Sequence, residues 1–286
     1  MEHRIVWVHG IGHHTAGYSD SWRQSFDHYL HLTPASYLEV VWDTVFHPEQ
    51  AGTRDAARAA GAMALTPREE LAAREVEDEV LTILGARRSA LEATEPGPRT
   101  RAVPTEPVEW SDRYVVPGRA PARGLVTWLV NPDEYLGDFA KYLVSKSVRA
   151  AVKEQFKQVL RSLASGSARV SVISHSWGTV VAYDSLLDLS AELPGLRVAD
   201  LFTLGSPLWL VRRLLEERSG RKPADVDNFV NVHARGDFVG SWLRPAFQVD
   251  KDYEVPTIGP DAHGSYFVEG NVPVQENIVA SDVLRA

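Results

Sequence analysis

Apolar residues follow two rhythms along this chain, and the rhythms take turns. Short unbroken apolar runs, with Ile5-Val6-Trp7-Val8 the first, predict buried strands, and stretches with an apolar residue every three or four positions predict helices. On this basis strands fall at 4–8, 37–42, 169–173, 198–204 and 228–232, with one more inside 247–258. Helices fall at 19–32, 68–93, 138–163, 179–189, 208–218 and 274–284. The firmest pattern is at 138–163, where Val144, Val148, Val152, Phe156, Val159 and Leu163 form one apolar stripe. Strands alternating with helices imply an α/β fold, a mostly parallel sheet with helices on both faces.

The alternation is interrupted between about 47 and 137. Residues 50–64 are rich in Ala and Arg. Residues 68–93 carry Val76, Val80 and Leu84 at helical spacing, beside a Glu/Arg-rich run that reads as a solvated face. Pro96, Pro98, Pro104, Pro107, Pro117 and Pro121 then follow, a density that excludes regular helix or central strand. The expectation is one domain over 1–286 with a helical and Pro-rich cap inserted at 47–137.

Composition narrows the classes. The 286 residues include 30 Lys+Arg and 38 Asp+Glu, a formal charge of −8, and this balance argues against nucleic acid as a partner. With no Cys, a disulfide framework and a thiolate metal site are excluded. No run approaches the roughly 20 apolar residues of a membrane span. The start of the chain lacks the pattern of a signal peptide, so a cytoplasmic location is expected.

Chemistry concentrates after the strand at 169–173. Ser174-His175-Ser176-Trp177-Gly178 joins that strand to a helix, the setting of a nucleophile elbow. The apex residue, Ser176, would be held in a strained conformation that pushes its Oγ out of the sheet. The positions two before and two after must be small, because strand and helix pack closely there. Ser174 stands where the usual G-x-S-x-G has Gly, a departure of one CH2OH group.

A serine nucleophile needs a base and an orienting acid, in this setting following it in the order acid, then His. Asp237 follows Gly236 beyond the strand at 228–232, with Asp227, Asp250 and Asp252 as alternatives. His263 is the one His after position 233, and small residues flank it. An oxyanion hole would take the N–H of Trp177 from the elbow and that of Ile11 from Val8-His9-Gly10-Ile11-Gly12. A dinucleotide fingerprint competes for Gly10-x-Gly12, but Thr15 stands where its third Gly belongs.

Together, Val8-His9-Gly10-Ile11-Gly12, the elbow, Gly236-Asp237 and His263-Gly264 resemble the α/β-hydrolase superfamily, most of all its bacterial lipase and esterase branch. The resemblance covers 1–46 and 138–286. It implies hydrolysis of a small-molecule or lipid ester, without cofactor, with Ser176, His263 and Asp237 catalytic and Ile11 and Trp177 binding the oxyanion. A thioesterase or acyltransferase would share this machinery, and a non-catalytic binding module would share the fold. A fold alone does not fix the substrate.

Other residues have plainer readings. His13 and His14, with His28 and His31, offer a zinc site on paper. Histidine pairs without a convergent third ligand are usually surface residues, so no metal is expected. His9 is read as packing under the first loop, His175 as structural and facing away from the apex, and Trp177 as lining a pocket or packing at the helix start. Trp110, Tyr114, Trp128 and Tyr135 either contact an acyl chain beneath a lid or anchor the loop, with Trp128 and Tyr135 the expected substrate contacts.

Overall fold

The computed structural model describes residues 2–12, 14–33, 36–46, 64–94, 132–164, 166, 168–215, 220–259 and 261–285. Six strands form one sheet: β1 (His3–Val8), β2 (Tyr37–Val40), β3 (Arg169–His175), β4 (Val198–Leu204), β5 (Val226–Ala234) and β6 (Lys251–Val255). They lie in the order β2-β1-β3-β4-β5-β6, and every neighbouring pair is parallel. The α/β expectation therefore holds.

A parallel sheet must be covered on both faces, and each strand sends side chains alternately to either side. In β1, Val6 and Val8 enter one core and Ile5 and Trp7 the other. The first core is closed by α2 (Pro67–Thr94), α3 (Pro132–Val144), α4 (Lys146–Leu163) and α5 (Gly178–Leu186). The second is closed by α1 (Asp20–Leu30) and by α6, a helical segment over residues 272–283 with a π turn at Gln275–Ala280. Trp7 is its centre, edge-on to Trp22 and Phe26.

Of the expected insertion, 47–63 and 95–131 lie outside the described residues. The rest is mainly α2 and the start of α3. Val76, Val80 and Leu84 are buried in the same core as Leu136, Phe139 and Trp177, so α2 helps to close the main core. Among the described residues no helix is long and apolar enough to cross a membrane.

Two helix expectations need correction. The single helix at 138–163 is two helices, broken at Ser145, which is extended (φ −101°, ψ 119°). The stripe is continuous in sequence, but the break is stabilised from outside it. Arg149 donates to the carbonyl oxygens of Tyr142 and Leu143 at 3.3 and 2.8 Å, satisfying acceptors that the end of α3 would leave unpaired. Of the helix expected at 208–218, the described residues form one turn, Leu208–Val211, tightening to a 3-10 turn at Arg212–Leu214 before Leu215 turns extended, and 216–218 lie outside the described residues.

The order places the site. From β1 the chain steps outward to β2, and from β3 onward it steps the other way. The carboxyl ends of β1 and β3 thus flank the switch point, where open α/β sheets form their crevice.

Candidate active site

β3 ends at His175, and Ser176 turns the chain into α5. Ser176 has φ 53°, a left-handed conformation in which a non-glycine residue is strained. The strain is held from several sides. The Ser176 N–H donates to the Leu204 carbonyl at 3.0 Å, and its own carbonyl accepts from the Thr179 hydroxyl at 2.6 Å. Gly178 brings α5 against the end of β1 so closely that a Cβ would lie 2.0 Å from the His9 carbonyl oxygen. Ser174 fits because its hydroxyl donates to the Phe202 carbonyl at 2.7 Å.

Three buried side chains meet at this turn. Ser176 Oγ lies 2.9 Å from His263 Nε2. His263 Nδ1 lies 3.0 Å from both oxygens of Asp237. Asp237 Oδ1 also accepts from the Val239 and Gly240 N–H groups at 2.9 and 3.0 Å, and Oδ2 accepts from the Tyr266 hydroxyl at 2.6 Å. Burial alone would raise the Asp237 carboxyl. Its bonds to His263, Tyr266 and Gly240 outweigh burial and hold it well below the usual carboxylate range. An ionised acceptor facing Nδ1 fixes the proton there and leaves Nε2 to accept from the serine, the state a general base requires.

The other three carboxylates are engaged elsewhere. Asp227 pairs with Arg197, Asp250 with Lys222, and Asp252 accepts from Asn231, Leu243 and Arg244.

The loop after β1 completes the site. A Cβ on Gly10 would lie 2.8 Å from the Ser176 Cβ, so only glycine lets this backbone pass the serine. Ile11 follows at a bend that Gly12 makes with φ 132°. Among the described residues no acceptor takes the N–H of Ile11 or of Trp177. The Trp177 ring is fully buried, 4.0 Å from Phe139 in the helical core, so it packs at the helix start.

Several parts of the site are not picked out by the sequence reading. Tyr266, which also accepts from the Ala234 N–H at 2.8 Å, ties the acid to the end of β5. A tyrosine three residues past His263 was the available signal. Gly205, at φ 60°, would place a Cβ within 3.0 Å of Asp237, Tyr266 and His263. His175 has the structural part expected of it: its ring lies 4.7 Å from the His263 ring, and its Nε2 lies 2.9 Å from the His263 carbonyl, so it supports the His263 backbone.

The expected substrate contacts are not placed. Trp110, Tyr114 and Trp128 lie outside the described residues, and Tyr135 falls on α3. A cavity of about 530 Å3 opens between Phe46, Leu65, Ala73 and Val148, but Ser176, His263 and Asp237 do not line it.

His13 also lies outside the described residues, and His14 gathers with His9 and Asp43 instead of with His28 and His31. Asp43 accepts from the His14 N–H at 2.5 Å, and Trp42 Nε1 donates to the His9 carbonyl at 2.9 Å. The His9 and His14 rings stack at 4.0 Å with planes 22° apart. Their lone pairs lie in nearly parallel planes, whereas a metal needs them to converge. The cluster braces the loop that carries Ile11.

Two buried histidines carry a stability prediction. Burial, followed by the neighbouring imidazole (His14 for His9, His263 for His175), lowers each to about 3. In the unfolded chain a histidine titrates near 6.5, so the unfolded state binds more protons throughout this window. Stability is complete above 6.5 and falls as the pH drops towards 3. At pH 5 the two together cost about 4 kcal/mol. We expect the urea midpoint to fall between pH 7.5 and 5, and His175→Gln to remove about half of the fall. An unchanged midpoint contradicts this.

Comparison with family models, with curated proteins and with solved structures gives no match to this chain.

Proposed function

We propose that this protein is a serine hydrolase of the α/β-hydrolase type that cleaves carboxylic esters through an acyl-enzyme. The observation that carries the reading is the buried chain Ser176 Oγ–His263 Nε2 at 2.9 Å and His263 Nδ1–Asp237 at 3.0 Å, set on a left-handed serine at the sheet's switch point. Packing alone gives no reason to hold a serine at φ 53° against an imidazole.

In this mechanism Ser176 Oγ attacks the ester carbonyl carbon as His263 Nε2 takes its proton. The carbonyl oxygen becomes an oxyanion, which the N–H groups of Ile11 and Trp177 stabilise. Each such donor contributes about 2.7–4 kcal/mol to the transition state. The tetrahedral species collapses, and His263 returns the proton to the departing alkoxide. Water, deprotonated by His263, then attacks the acyl-serine, and collapse releases the acid and restores the Ser176 hydroxyl. Asp237 stays ionised throughout and holds the imidazolium.

The test is turnover of p-nitrophenyl esters from short to long acyl chains, beside the matching thioesters. We expect oxyester turnover that Ser176→Ala abolishes. Faster thioester turnover would move the reading to a thioesterase on the same residues. Turnover that survives Ser176→Ala would reject this mechanism.

A further inference from the structure

Helix α2 reaches the acid loop through Arg87. Arg87 Nη2 donates to the Gly240 carbonyl at 2.7 Å, and its guanidinium carbon sits 4.7 Å from the centre of the Trp209 ring. Trp209 in turn donates from Nε1 to the Val239 carbonyl at 2.7 Å. That carbonyl belongs to the same peptide unit as the Gly240 N–H, which donates to Asp237. Trp209 and Asp237 therefore hold opposite ends of one peptide plane. Arg87 holds both the ring that grips this plane and the carbonyl of the next.

The loop packs closely on the acid. A Cβ on Gly240 would lie 2.6 Å from Asp237 Oδ2 and 2.7 Å from the Gly205 Cα. The guanidinium is part-buried, and among the described residues its Nη1 has no hydrogen-bond partner. A guanidinium kept inside at the cost of an unmade hydrogen bond calls for an explanation beyond solubility.

We propose that Arg87 is a positioning residue for Asp237: from helix α2 it fixes the 237–240 loop so that both peptide N–H groups point at the carboxylate that orients His263. The inference rests on the hydrolase reading for its effect on turnover, but the contact itself can be tested without it. Since Arg87 acts through Gly240 and Trp209, its loss should disturb the chemical step and leave substrate binding alone.

The experiment compares Arg87→Met, which keeps the packing stem over Trp209, with Arg87→Lys, which keeps a charged donor. For Arg87→Met we expect kcat to fall about tenfold with KM within about twofold, the signature of a lost orienting contact. Arg87→Lys should recover most of kcat. Independently of turnover, the downfield proton resonance of His263 Nδ1–H should be sharp in the wild type and broadened by exchange in Arg87→Met. Wild-type kcat together with an unaltered resonance in Arg87→Met would overturn the proposal. A KM change with kcat preserved would also overturn it. If the wild type turns over no ester, the hydrolase reading fails and the resonance alone decides the role of Arg87. If Arg87→Met does not fold, Arg87→Gln takes its place under the same criteria.

Discussion

Asp237→Asn is expected to lower ester turnover by about 10^4-fold in a protein that still folds. The hydrogen bonds around the carboxyl give the reason. Oδ1 faces two peptide N–H groups, those of Val239 and Gly240. An asparagine there keeps its oxygen on these donors and turns its NH2 towards Tyr266 and His263. Nδ1 then faces a donor and must accept, so the imidazole proton moves to Nε2. A protonated Nε2 donates to Ser176 Oγ and cannot take its proton. Volume is conserved and the N–H partners are kept, so the melting curve should stay cooperative. Turnover within tenfold of wild type would mean that Asp237 does not set the tautomer.

Gly178→Ala has the largest expected effect on the fold. The new Cβ would sit 2.0 Å from the His9 carbonyl oxygen and 2.8 Å from that of Val8, and both obstacles are backbone. Either α5 or the end of β1 must move. The cost should be about 3 kcal/mol or more, at or beyond the upper end for overpacking. That corresponds to a fall in melting temperature of about 6–12 °C. The shift also pushes Gly10 and Ile11 relative to Ser176, so turnover should drop in whatever protein remains folded. Gly85→Ala on α2 is the control. Nothing lies within 4 Å of the Cβ it adds, and alanine in a helix interior should stabilise by about 0.5–1 kcal/mol. Equal melting temperatures for Gly178→Ala and the wild type would contradict the close approach.

What could be read from the sequence follows from range. Strands such as Ile5–Val8 are legible because burial on both faces leaves an unbroken apolar run. Ser176, Asp237 and His263 are legible because each follows a strand beside small residues: Ser174 and Gly178 two positions either side of Ser176, Gly236 before Asp237, and Ala262 and Gly264 around His263. The break at Ser145 is not legible, since it depends on the Arg149 guanidinium reaching back to the carbonyls of Tyr142 and Leu143. Tyr266 and Arg87 are not legible either. Their partners lie 29 and 153 residues away, and no local spacing encodes such contacts. His14 pairs with Asp43 across 29 residues for the same reason, although a helix-face argument points to His28 and His31.

The central claim is that Ser176 is a nucleophile activated by His263. The most direct test is labelling with a fluorophosphonate probe, which reacts with an activated serine whatever the natural acyl group. The labelled peptide is then mapped by mass spectrometry. The account predicts one adduct, on Ser176, lost in His263→Ala and reduced in Asp237→Asn. An unlabelled wild type, or an adduct on another residue that survives Ser176→Ala, would contradict it.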